Sequence, residues 1–214
     1  MGIIKQGILG GFSGKVGNVV GASWKGIDYI RSLPSSVRNP RTPGQVKQRT
    51  KFTLVQRFLT SMTPVVRVGF KNYAGKKTAF NAATSYNVLN GVVGEGDMME
   101  LDYPSLLISR GNLQPAPSGD ALYVGGDIIA EWDNSVNGLN ANGNDEAILV
   151  LHNSIKGESR YNIGLSDRLI GELREACPSH WQGDVVECYI AFVSEDGKDV
   201  SNSLHLASIE IPTE

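Results

Sequence analysis

The sequence is sparing with the residues that most often announce chemistry. Two cysteines, Cys177 and Cys188, occur in 214 residues, which excludes a disulfide-stapled scaffold. Three histidines, at 152, 180 and 205, leave few candidate general bases. No apolar run approaches the roughly 20 residues of a membrane-spanning helix. Glycines interrupt the opening "MGIIKQGILGGFSGKVGNVVG" every few positions, so no continuous apolar core of a signal peptide forms, and neither leader nor anchor is expected. No serine stands in a G-x-S-x-G elbow.

The most informative scarcity is of acid. Residues 1–90 hold fourteen lysines and arginines against one carboxylate, Asp28, a net charge of +13. The remaining residues hold six bases and twenty-one acids, a net −15, so the overall −2 conceals two oppositely charged halves. Such separation steers association and orients partners.

Eight glycines fall within residues 2–26. Val16–Trp24, a turn at Lys25-Gly26 and Ile27–Leu33 read as a hairpin, with Ile27, Tyr29, Arg31 and Leu33 on one side. A glycine-rich strand is weakly specified alone and invites pairing. The period then becomes helical. Thr42-Pro43 and Thr63-Pro64 each place a capping hydroxyl before a proline at the first helical position. Between Pro43 and Met62, the residues Phe52, Val55, Leu59 and Met62 recur every three or four positions, widened by Leu54 and Phe58. A second helix is expected over Pro64–Ala74 and a third from Thr78 to Leu89.

Charge sign and periodicity switch at "GVVGEGDMMELD", which marks a boundary between a domain of residues 1–90 and one of residues 91–214. Short β-like runs separated by turn residues follow at Ser105–Ser109, Ile128–Trp132, Ala147–Asn153, Arg160–Leu165, Val185–Ser194 and Ser203–Ile211, the last two of them alternating. About seven strands at this spacing indicate a β-sandwich of the immunoglobulin or fibronectin III kind, with Trp132 and Tyr189 as core anchors. The fold class is therefore α+β: an N-terminal β-hairpin with a helical hairpin or trio, then an antiparallel β-sandwich.

Motifs for chemistry fail on inspection. "GGFSGKVG" lacks the first glycine and the Ser/Thr of a phosphate loop, since Leu9 and Val16 occupy those positions. "DNSVNG", Asp133–Gly138, resembles half a calcium loop, but Asn144 stands where a bidentate glutamate belongs. Cys177, His180, Cys188 and His205 lack the paired short spacings of structural zinc. His152 reads as a strand residue. No cofactor, metal, catalytic residue, membrane contact or small-molecule substrate is expected.

Two functions remain for the basic region. Residues 38–51 carry Arg38, Arg41, Lys47, Arg49 and Lys51 and no carboxylate. With Trp24, Arg31, Gln45 and Gln48, these are the candidate contacts, either to an acidic surface of another copy or to phosphates. The alternative is sequence-independent nucleic-acid binding, although no DNA-binding motif or aromatic ladder accompanies the cations. A third arrangement has the two halves attract one another within one chain.

The stretches "GILGGFSGKVGNVVGASWKG", "IRSLPSSVRNPRTPGQVKQRTKF", "GFKNYA", "TAFNAATSYNV", "YPSLLISRGNL" and "DGKDVSNSLHLASIEI" resemble a family of uncharacterised proteins from Bacteroidota and their phages, classed as a domain of unknown function. The matching positions include Gly10, Gly11, Gly14, Gly17, Trp24, Asn39, Pro40, Arg41, Thr42, Gln45, Gln48 and Arg49, to none of which a catalytic role attaches. "NPRTPGQ" is more loosely similar to a segment of phage structural proteins. That resemblance implies a virion or other assembled particle as destination, other particle subunits or further copies as partners, and no enzymatic activity.

Overall fold

A computed structural model describes residues 2–4, 11–24, 27–36, 41–75, 77–136 and 140–213. Its packing divides the chain between Thr42 and Pro43 into two units, whereas charge switches near residue 90. The first unit carries four antiparallel strands in the order β1 (Ile3–Ile4), β2 (Phe12–Val16), β3 (Val19–Trp24) and β4 (Ile27–Ser32). The turn expected at Lys25-Gly26 lies outside the described residues. The other turn, Gly17-Asn18, uses Gly17 at φ +56° to reverse the chain in two residues, as tight hairpins require.

The second unit begins with α1 (Pro43–Thr60), α2 (Thr63–Gly69), a short 3-10 turn (Lys71–Tyr73) and α3 (Ala79–Asn90). Thr78 caps α3, its hydroxyl accepting from the Asn81 N–H at 3.1 Å. The cap expected of Thr63 does not form. Its hydroxyl instead donates back to the Thr60 carbonyl at 3.0 Å, and Met62 is the N-cap residue. A two-stranded ribbon follows, β5 (Val92–Val93) with β6 (Glu100–Leu101).

Seven further strands make the expected sandwich: β7 (Gly119–Val124), β8 (Asp127–Trp132), β9 (Glu146–Asn153), β10 (Glu158–Asp167), β11 (Glu172–Ala176), β12 (Val185–Val193) and β13 (Leu204–Glu210). One sheet runs β11-β8-β7 and the other β10-β9-β12-β13, all antiparallel. The first, second and fifth strands thus form one layer and the other four the second, an immunoglobulin-like division with the fourth strand beside the third. The expected strand at Ser105–Ser109 is absent; a 3-10 turn (Tyr103–Ser105) and an extended segment stand there.

Every residue of β9 after Glu146, and all of β12 after Val185, is buried on both faces. One face meets the three-stranded sheet: Leu149, Leu151, Val186 and Cys188 pack with Ala121, Ile128, Ala130 and Trp181. The opposite face meets the helices, where Ile148, Val150, Tyr189, Ala191 and Val193 share a core with Val55, Phe58, Leu59, Met62, Val65, Val66 and Phe70. The unit therefore has three layers, with the four-stranded sheet in the middle and the helices covering the face turned away from the three-stranded sheet. Each such large side chain contributes roughly 1.5–3 kcal/mol by leaving water. Phe52, expected within the helical stripe, is 49% exposed and lies outside this core.

Trp132 and Tyr189 are core anchors as expected. Trp132 packs edge-on to Phe192 at 5.8 Å, and its indole N–H donates to the Arg168 carbonyl at 2.9 Å. Arg168 is itself fully buried: its guanidinium lies 3.8 Å from the Phe192 ring centroid, its Nε donates to Asp145 Oδ2 at 3.1 Å, and Nη2 donates to the Gln114 carbonyl at 2.6 Å. Nη1 has no hydrogen-bond partner among the described residues. Removing one member of such a pair strands a buried charge. Asp145→Ala and Arg168→Met, each of which leaves the other member buried without its partner, are accordingly expected to cost about 3–5 kcal/mol, and replacing both by apolar residues markedly less, read from urea unfolding midpoints of the full chain.

Candidate functional site

The first unit has an unusual surface. Ile27, Tyr29 and Arg31 point to one face of β4, and Asp28, Ile30 and Ser32 to the other. All six are exposed, Ile27 to 67% and Ile30 to 63%. Ile3, Val16 and Val19 are also exposed, and none of the described residues before Pro43 belongs to a hydrophobic core. The strands close tightly: a Cβ on Gly21 would stand 1.9 Å from the Phe12 carbonyl oxygen, so only glycine permits that approach. β4 is an outer strand of its sheet, and among the described residues no further strand pairs with its other edge.

The sequence candidates are divided between the two units. Trp24 pairs in register with Ile27 at the end of the β3–β4 ladder, and Arg31 pairs with Val20. Arg38 lies outside the described residues. Arg41 is exposed ahead of α1, and Gln45, Lys47, Gln48, Arg49 and Lys51 occupy its first turns. Gln45, Gln48 and Arg49 are exposed, Lys47 and Lys51 half-exposed.

Lys47 is engaged within its own chain, its ammonium 2.9 Å from Glu95, whose carboxyl pKa falls through that hydrogen bond and the lysine charge. Lys71 donates to the Gly197 carbonyl, beside Asp196 and Asp199. These contacts join the basic helices to acidic loops inside the second unit, so part of the charge division is neutralised internally. The Lys47–Glu95 pair is exposed and contributes little to stability. What remains is a first unit of six bases and one acid, net +5, and a second unit of net −7.

Other motif residues fall into structural settings. Lys15 sits in β2 opposite Val20, not in a loop that could cradle phosphate. Asp133 Oδ1 accepts from the Ser135 N–H at 2.8 Å, an Asx turn that lowers its pKa. Gly138 lies outside the described residues. Cys188 is buried between the sheets with its thiol pKa raised by desolvation, while His180 is exposed beside Glu158 and His205 faces Glu187.

The fold also gathers a polar row across the helix-facing side of the four-stranded sheet. Ser159, His152, Glu187 and Ser208 are successive cross-strand neighbours from β10 to β13. An extra residue in β13 between the pairs Cys188–Ala207 and Tyr189–His205 turns both His205 and Ser208 toward Glu187, whose Oε2 lies 2.7 Å from His205 Nε2 and accepts from Ser208 at 2.6 Å.

At the other end, His152 Nδ1 lies 2.9 Å from Ser159 Oγ, Ser159 Oγ 2.6 Å from Ser61 Oγ, and Ser61 donates to the Phe58 carbonyl at 2.7 Å. A hydroxyl has one proton, so Ser159 donates to Ser61 and His152 Nδ1–H donates to Ser159. The contact is therefore the reverse of a nucleophile–base pair, and it fastens the end of α1 to the sheet.

Taken together, the geometry defines an α+β protein with an immunoglobulin-like sandwich walled by helices and an N-terminal sheet whose faces are open. Residues 11–207 match the family of unknown function DUF6266, and the chain belongs to that family. No curated protein matches it.

His152 is buried, and desolvation lowers its pKa from 6.5 to about 4, with Glu187 opposing the shift and Arg57 adding to it. The unfolded chain therefore binds the extra proton first. Stability present above pH 6.5 is expected to fall as pH drops toward 4, by up to about 3 kcal/mol. Urea midpoints measured across that window should show the slope, and His152→Gln should flatten it.

Proposed function

We propose that the chain is a non-enzymatic structural subunit that assembles with further copies of itself through its N-terminal sheet. The observation that carries this reading is the exposure of apolar side chains on both faces of a four-stranded sheet without a core of its own among the described residues. Apolar side chains left in water on both faces favour burial against a partner. Charge favours a second copy as the cover, since a +5 unit complements a −7 unit. A head-to-tail contact of this kind closes into a ring or continues as a fibre. The similarity of Asn39–Gln45 to phage structural proteins supports a virion or phage-derived particle as the setting.

A second reading draws on Lys15, Arg31 and Arg41, all exposed in this same positively charged unit: sequence-independent binding of nucleic-acid phosphates.

Sedimentation velocity over a range of concentrations separates the two. The full chain is expected to self-associate without nucleic acid, and Ile27→Lys with Ile30→Lys to weaken association by about tenfold or more, as loss of one or two buried isoleucines implies. A chain that stays monomeric throughout, or variants that associate equally well, would overturn the assembly reading. Gel retardation of DNA that weakens steeply with salt would support the second.

A further inference from the structure

A separate site lies where α2, α3 and the segment leading to Arg110 meet. Gly69 ends α2 against that segment: a Cβ there would stand 2.5 Å from the Ile108 carbonyl oxygen and 2.7 Å from Ser109 Cα. This approach lets the Arg110 N–H donate to the Gly69 carbonyl at 2.9 Å. From α3, the buried Asn87 holds Leu107 by both backbone groups, Nδ2 donating to its carbonyl and Oδ1 accepting from its N–H, each at 2.9 Å. Ser109 donates to the Ser201 carbonyl at 2.7 Å. The backbone that delivers Arg110 is thus fastened to two helices and to the loop before β13.

So delivered, the Arg110 guanidinium lies 4.5 Å from the Tyr73 ring centroid and 4.8 Å from that of Tyr86. Stacking on aromatic faces orients the fork of N–H donors and strips water from its faces. No carboxylate among the described residues pairs with it. The neighbouring cavity, about 280 Å³, is lined by Tyr73, Lys77, Ser85, Tyr86, Asn90 and Arg110 together with Phe70, Ala82 and Leu89. Among the described residues its lining holds two cations and no acid, in a chain of net negative charge.

We propose that this cavity binds an oxyanion, a phosphate or carboxylate group borne on a small apolar or aromatic body. Arg110 offers two parallel N–H donors to the oxyanion and Lys77 a second positive charge. Phe70 and Leu89 supply apolar surface for the body that carries it. The site is independent of assembly through the N-terminal sheet, since it lies wholly within the second unit.

The test is calorimetric titration of the full chain, at constant ionic strength, with inorganic phosphate, phenyl phosphate and benzoate, while NMR follows the Tyr73 and Tyr86 ring resonances. Saturable binding of at least one probe at one site is expected, with shifts of both rings. Preference for the two phosphates identifies a phosphate group as the ligand, and preference for benzoate a carboxylate. Arg110→Lys should weaken binding by about tenfold or more, because it keeps the charge and loses the fork. Lys77→Gln, at an exposed position, should weaken it several-fold with the urea midpoint unchanged. Absence of saturable binding by all three probes, or binding unchanged in both variants, would overturn the proposal.

Discussion

Burial of the four-stranded sheet on both of its faces is the constraint on which the second unit depends. β9 and β12 lie at the centre of that sheet, so almost every side chain on them must be apolar or fully partnered. The three-stranded sheet covers one side and the helices the other, and loss of either cover would expose the same strands to water. This explains why the polar residues that do enter the helix-facing layer, His152, Glu187 and their serine partners, come as a connected row. It also explains why the break between units falls before the helices.

Much of this was legible. The spacing of Val55 and Leu59 identified the face of α1 that is buried, and short β-like runs between turn residues located β8, β9, β10, β12 and β13 to within a few residues. β7 and β11 were harder to see, because "GDALYV" and "ELREA" are short and carry charges on the solvent side of an outer sheet. The charge switch near residue 90 marked no break in packing, since a helix layer and a strand layer with opposite surface charge can still share one apolar core.

The candidate surfaces were legible to different degrees. Ile27 and Ile30 have opposite parity in β4, so a strand apolar on both faces was present in the alternation, although only the Ile27 side was evident. Nothing local marked His205 and Ser208 as sharing a face, because the bulge that makes them do so is a property of the β12–β13 pairing. Arg110 gave no signal either: Tyr73 precedes α3 and Tyr86 lies within it, the β5–β6 ribbon stands between them and Arg110, and only the fold brings them together. Residues 38–51 showed their charge openly, but the sequence could not say that Lys47 would turn to Glu95.

The grip of Asn87 on Leu107 has a chemical corollary. One amide side chain here does what a neighbouring strand would do, meeting an N–H with its oxygen and a carbonyl with its nitrogen. Hydrolysis of that amide to an aspartate, the commonest ageing reaction of asparagine, would replace the donor by an oxygen and set two acceptors face to face inside the protein. Burial of Asn87 keeps water from that nitrogen for as long as α3 stays packed.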